Sequence, residues 1–170
     1  MTTEDGLFTL DEAQAWAALG SLLEWLPSAL DQALQREAGL NHFEFTVLSM
    51  LADAPDQRLR MSELAAVSNG SPSRLSHTAA KLERADLLTR ATDPDDGRST
   101  LAALTNRGSD VVDETTPLYV TIVRRLVFEP LGPEFSGQLS AIGSRIIGGL
   151  MPGHTCQAPT QWIRPALAAP

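Results

Sequence analysis

The stretch from residue 58 to residue 104 confines this chain to few folds. Ser71 stands where a helix N-cap is wanted, and Pro72 follows at the first helical position, where a missing N–H costs nothing. Leu75, Ala79 and Leu82 then recur on one face, which predicts a helix with a buried side. Upstream, Ser62 is placed to cap a shorter helix carrying Leu64, Ala65 and Val67. Ser68-Asn69-Gly70 reads as the tight turn between the two, with Gly70 free to take positive φ. Downstream, Leu88–Thr92 and Ser99–Leu104 have strand-like composition. They are joined by Asp93-Pro94-Asp95-Asp96-Gly97-Arg98, a turn-rich tip. Residues 58–104 therefore read as two short helices followed by a hairpin.

The side chains left outside suggest what such a unit touches. Ser73, Arg74, Ser76, His77, Ala80, Lys81 and Arg84 lie off the buried face of the second helix. A helix that enters the DNA major groove needs short hydroxyls near phosphates and base edges, and arginine for guanine. The same residues also suit an ordinary solvated helix, and the tip suits an ordinary polar turn. Their succession favours the winged helix-turn-helix, in which Arg98 at the hairpin tip reaches a flanking minor groove. Asp96 is placed to orient Arg98 by a charge-assisted hydrogen bond.

A formal net charge of −8 argues at first against a nucleic-acid partner, but its distribution argues the other way. Residues 1–57 hold ten acids and the single base Arg36, a balance of −9. Residues 58–108 hold eight bases against six acids, or +2, and residues 109–170 stand at −1. The one net-basic segment is the helix–turn–helix and hairpin.

The flanks read as helix. Leu19, Leu22, Leu23, Leu26, Leu30 and Leu34 form an apolar stripe that Pro27 is expected to kink or break, and Gly39 is a C-terminal stop. Asn41 with Glu44 makes a capping box for a second helix, with Leu40 and Phe45 as a hydrophobic staple and Val47, Leu48 and Leu51 on the buried face. From Thr105, an expected N-cap, a long run passes through Val112, Leu118 and Ile122 to Leu126, with Pro117 as a second expected kink. Pro130-Leu131-Gly132-Pro133 breaks it. A last helix carries Phe135, Leu139, Ile142, Ile146 and Leu150, and from Met151 the proline-rich composition is that of an irregular tail.

Three stretches together resemble the MarR family of regulators: Lys81-Leu82-Glu83-Arg84-Ala85-Asp86-Leu87-Leu88-Thr89-Arg90, Asp93 to Arg98, and Leu104-Thr105-Asn106-Arg107-Gly108. Asp96-Gly97-Arg98 matches that family's Asp-x-Arg wing motif, and Gly39 to Leu51 resembles its second helix. The family usually has Gly where Asp86 stands, a departure that Asp tolerates in left-handed geometry. The resemblance implies a mainly α fold with a small β-wing, a winged helix-turn-helix with N- and C-terminal dimerisation helices. It divides the chain into a dimerisation helix (1–38), a DNA-binding lobe (39–104), C-terminal dimerisation helices (105–150) and a tail (151–170). It implies a homodimer that binds double-stranded DNA at a pseudo-palindromic operator, as a repressor released by a small aromatic effector. The DNA-contacting set is then Ser73, Arg74, Ser76, His77, Lys81, Arg84, Asp96 and Arg98.

Other residues carry weaker signals. Trp16 and Trp25 suit a core or dimer interface, or an aromatic ligand pocket together with His42, which more simply reads as a surface or capping residue. His42, His77 and His154 are too scattered for a metal site, and no cofactor is expected. Cys156 is alone and reads as an inert thiol of a reducing cytoplasm. Arg124-Arg125 reads as a solvated pair on a long helix. No run long enough for a membrane span, no basic-apolar leader and no Gly-rich nucleotide loop or nucleophile elbow occurs, so an enzyme is not expected. A winged-helix module used for protein interaction without DNA readout is the alternative.

Overall fold

A computed structural model describes residues 6–151 together with Pro159 and Trp162. Cys156 and His154 lie outside the described residues. Helix α1 (Leu10–Ala38) opens at Thr9, whose hydroxyl caps the Glu12 N–H while Glu12 takes the Thr9 N–H at 2.8 Å. Pro27 does not break it. The carbonyl that Pro27 leaves without an intrahelical donor belongs to Leu23, which is exposed, so water can take the place of the lost bond. Gly39, at φ 70°, closes the helix in the left-handed conformation.

Helix α2 (His42–Asp53) starts with the expected reciprocal cap: Glu44 N–H donates to Asn41 Oδ1 at 2.8 Å, and Asn41 N–H donates to Glu44 Oε2 at 3.1 Å. The expected staple does not close. Leu40 belongs to the core of the winged lobe, whereas Phe45 packs in a second core with Leu30, Leu34, Tyr119 and Ile122. The N-terminus of α2 therefore stands between two cores.

A strand absent from the sequence reading follows, β1 (Arg58–Arg60), and the chain turns directly into α3 (Met61–Val67). Arg60, not Ser62, is the N-cap of α3: its N–H is taken by the Glu63 carboxylate at 3.1 Å. Leu64 and Ala65 are buried, but Val67 faces solvent. In the turn that follows, Asn69 takes the positive φ (52°) expected of Gly70. Gly70 is needed for space instead, because a Cβ there would lie 2.5 Å from the Phe43 ring.

Helix α4 (Pro72–Arg84) begins as expected, with the Ser71 hydroxyl capping the Arg74 N–H at 3.2 Å and Pro72 in the first turn. Strands β2 (Leu88–Thr92) and β3 (Thr100–Leu104) form the wing hairpin. With β1 they make an antiparallel sheet in the order β1-β3-β2, Leu59 facing Ala102 and Arg90 facing Ala102 from the other side.

Thr105 caps α5 (Asn106–Val123), which runs through Pro117 without a break; the carbonyl freed there, on Asp113, again lies on an exposed face. The helix then widens into a π-helical stretch over Arg124–Phe128. A short turn α6 (Glu129–Leu131) and Gly132 at φ 85° lead to α7 (Ser136–Leu150). No residue of α7 is buried, and Leu139, Ile142 and Ile146 stand 42–58% exposed. Leu10, Trp16, Leu22, Leu23 and Trp25 of α1 are exposed as well, so only the last third of the expected α1 stripe is core in a single chain.

Candidate nucleic-acid interface

Helix α4 buries Leu75, Thr78, Ala79 and Leu82 against the lobe. At 100° per residue the opposite face is made by Ser73, His77, Ala80 and Arg84, with Ser76 turned toward the wing. Ser73, Ser76, His77 and Arg84 are all exposed. Arg74 and Lys81 are exposed too, but they stand on the other flank, toward α2. The Arg74 guanidinium lies 4.0 Å above the Phe43 ring, and Lys81 donates to the Glu44 carboxylate, which is only 2% exposed. Arg84 Nε returns to the Ala80 carbonyl at 3.1 Å.

The wing is anchored by ion pairs. Glu83, at the end of α4, takes the Arg90 backbone N–H at 3.0 Å and the Arg90 guanidinium at 2.6 and 3.1 Å. The hydrogen bonds from the Arg90 side chain hold the Glu83 carboxyl below the usual range. Asp93 is almost buried, accepting the Asp95 N–H at 2.9 Å and Arg60 Nε at 2.7 Å, and both bonds lower its pKa, the backbone one more. Asp96 does not hold the Arg98 guanidinium. It accepts the Ser99 hydroxyl at 2.8 Å and the Arg98 backbone N–H at 3.1 Å, and so shapes the turn, leaving the Arg98 side chain exposed and without an ion pair among the described residues. Asp96 is correspondingly acidic, chiefly through Ser99. Between wing and helices lies an open groove of about 410 Å³ lined by Arg60, Ser62, Ser76, Arg90, Arg98 and Thr100, among others. Its hydroxyls and guanidiniums stand beside the apolar Met61, Pro72 and Leu75, and of its three arginines Arg60 and Arg90 are held by Asp93 and Glu83, which leaves Arg98 to meet an anionic backbone.

The junction between wing and α5 explains the Leu-Thr-Asn-Arg-Gly stretch. Asp86 sits at φ 60°, the left-handed geometry expected of it, and its carbonyl accepts the Thr105 hydroxyl at 2.7 Å. The same hydroxyl caps the Gly108 N–H at 2.9 Å. A Cβ on Gly108 would fall 2.0 Å from the Leu87 carbonyl oxygen, so only glycine lets α5 lie this close.

Away from this face, His42 is not a simple surface residue. Its ring stacks on Tyr119 (5.7 Å, 6°), its backbone N–H donates to the Asp31 carboxylate at 2.7 Å, and its Nδ1 is buried without a hydrogen bond. Burial lowers its pKa. Phe45 and Trp162 pack on the same Tyr119, each at 4.9 Å between ring centres, and burial raises the Tyr119 phenol to about 12. Among the described residues no ring contact joins this cluster to Trp16 or Trp25. Phe43, Glu44, Arg60, Glu83, Arg90 and Asp93 are the residues that sequence reasoning left out. Glu44 was accounted for by its cap, Glu83, Arg90 and Asp93 stood inside the family-like stretches without a role of their own, and Phe43 and Arg60 carried no motif.

Comparison with known proteins bears on this face directly. The MarR family model matches residues 38–99, from the end of α1 to the wing tip. The chain is 37% identical to Sco3205, a MarR family transcriptional regulator from Streptomyces coelicolor solved in complex with DNA. That match covers 89% of this chain and 95% of Sco3205 at a TM-score of 0.82. The chain belongs to the MarR family. A second MarR family regulator of the same organism, AbsC, is 31% identical over 85% of this chain and 97% of its own, with a TM-score of 0.77. An HTH-type transcriptional regulator of Bacillus subtilis, YkoM, is 35% identical over 106 residues. That stretch covers 61% of this chain and 66% of YkoM. This MarR-family chain is thus a transcriptional regulator with the winged-helix architecture expected of it. No described helix is long and apolar enough to cross a membrane.

Proposed function

We propose that the protein acts as a homodimer that reads a pseudo-palindromic DNA operator, represses the adjacent promoter, and is released by a small aromatic effector. The observation that carries the DNA reading is the shared aspect of α4 and the wing. Ser73, Ser76, His77 and Arg84 face outward on α4, and the exposed Arg98 stands across an arginine-lined groove from them. On this reading α4 enters the major groove, Arg98 reaches the flanking minor groove, and Asp96 holds the wing turn in shape. Arg74 and Lys81 flank the reading face.

Residues 1–38 and 105–150 serve as dimerisation elements and residues 39–104 as the DNA-binding lobe. The exposed apolar faces of α1 and α7 support this division, since a large uncovered apolar surface marks a protein interface. The aromatic group of His42, Phe45, Tyr119 and Trp162, where α1, α2 and α5 meet, supports an aromatic effector there. Trp16 and Trp25 line the dimer face instead. The working compartment on this reading is the cytoplasm.

The test is selection of bound fragments from random duplex DNA by the purified protein at two salt concentrations. Enrichment of a pseudo-palindrome with half-sites one helical turn apart, weakening steeply with salt, is the expected result. No enrichment at low salt would leave the winged lobe as a protein-interaction module.

A further inference from the structure

The first turn of α2 touches both the aromatic cluster and the flank of α4. His42 faces Tyr119, whereas its two successors face α4: Phe43 lies under the Arg74 guanidinium and Glu44 holds Lys81. Arg74 and Lys81 are two helical turns apart on one flank, so the pair of contacts fixes how α4 is rolled about its own axis. Both anchors are themselves fixed. Phe43 is 6% exposed and lies against Gly70, where any side chain would strike its ring. Glu44 is 2% exposed and bonded to the Asn41 N–H. The Lys81 side chain, by contrast, is half exposed and able to swing outward.

We propose that Phe43 and Glu44 are positioning residues for DNA readout. They hold α4 by its Arg74 and Lys81 flank and keep Lys81 off the phosphates, so that discrimination falls on Ser73, Ser76 and His77. This rests on the reading of α4 as the helix that enters DNA. The physical reason is a division of charge. A lysine on phosphate strengthens binding to every sequence alike, whereas a lysine spent on a buried carboxylate adds nothing to non-specific affinity and keeps the reading face in register.

The test compares wild type with Glu44→Gln and Lys81→Gln, titrating the selected operator and a scrambled duplex over a range of salt. Gln at position 44 keeps one oxygen for the Asn41 N–H and loses the charge that holds Lys81. Released, Lys81 reaches phosphate: the slope of log affinity against log salt steepens by about 0.9 for each recognition helix, and the operator-to-scrambled ratio falls. Lys81→Gln leaves the slope at the wild-type value, because no phosphate contact is lost, and lowers the ratio. A slope shallower by about 0.9 per helix in Lys81→Gln overturns the proposal. So does Glu44→Gln with slope and ratio both unchanged, whatever its melting temperature. If Glu44→Gln does not fold, the half-exposed Lys81→Gln decides alone. Wild type that prefers no duplex defeats the DNA reading itself, a separate and distinguishable failure.

Discussion

Arg60 Nε donates to the Asp93 carboxylate at 2.7 Å and ties the edge strand β1 to the base of the wing, 33 residues away in sequence. Asp93 at the same time shapes the tip by accepting the Asp95 N–H. Its folded pKa is lowered, so the stabilisation is present above the ordinary value of 3.8 and fades as pH falls below it. Asp93→Asn keeps the turn acceptor and loses the charge. At pH 7 it is expected to speed amide hydrogen exchange over residues 93–99 and weaken operator binding while the global melting temperature barely moves. Unchanged exchange in the wing would refute the role assigned to the pair.

Arg98→Ala is expected to weaken operator binding and reduce the salt slope by about 0.9 per subunit. The side chain is exposed and unpaired among the described residues, so stability stays as it was. Binding isotherms at several salt concentrations, with a melting curve as control, decide it.

Gly70→Ala places a Cβ 2.5 Å from Phe43 Cζ and 2.9 Å from Cε2. The ring is buried and cannot step aside freely, so a loss of about 1–3 kcal/mol in unfolding free energy is expected. Denaturant titration measures it. Because Phe43 carries Arg74, operator affinity should fall further than stability alone accounts for.

His42 supplies a pH dependence. Its folded pKa lies below the ordinary 6.5 because burial disfavours the imidazolium; Asp31 opposes the shift and Arg74 adds to it. Below 6.5 the unfolded chain takes up a proton that the folded chain refuses, so stability falls with pH until the lower folded value is reached. His42→Gln should flatten this limb of a melting-temperature profile between neutral and mildly acid pH. An identical profile in the variant would assign the acid sensitivity elsewhere.

Ile142 and Ile146 stand 58% and 44% exposed on α7. On the proposed homodimer, Ile142→Glu is expected to shift the protein from dimer to monomer in sedimentation velocity, with the winged lobe still folded by circular dichroism. A dimer that survives the charge would move the interface off this face.

Local chemistry was legible in the sequence and distant pairing was not. The Asn41–Glu44 cap, the Ser71-Pro72 start, the Thr105 cap and the left-handed Asp86 each involve groups within three residues of one another or a single backbone angle, and each is in place. Strand β1 has only three residues, too few for an alternating pattern to show, and exists because β3 offers it a partner. Glu44 and Lys81 are 37 residues apart, and each had an adequate local explanation, so nothing in the order of residues linked them. The same holds for Gly70, which read as a turn residue until the Phe43 ring appeared beside it. Of the eight residues expected to contact DNA, the exposed face holds Ser73, Ser76, His77, Arg84 and Arg98 outward. Arg74 and Lys81 could be told from them only once α2 was in place.

The close seat of Gly108 against the Leu87 carbonyl makes that point a pivot. Helix α5 runs 15 residues beyond it to Val123, a lever of about 22 Å at 1.5 Å per residue. An error of about 10° at the pivot would carry the far end roughly 4 Å, about three-quarters of a helical pitch. Any body clasped at that end would be displaced by as much. A position without a side chain thereby governs the reach of a whole helix, and a single added methyl group there would be read out as a change of span.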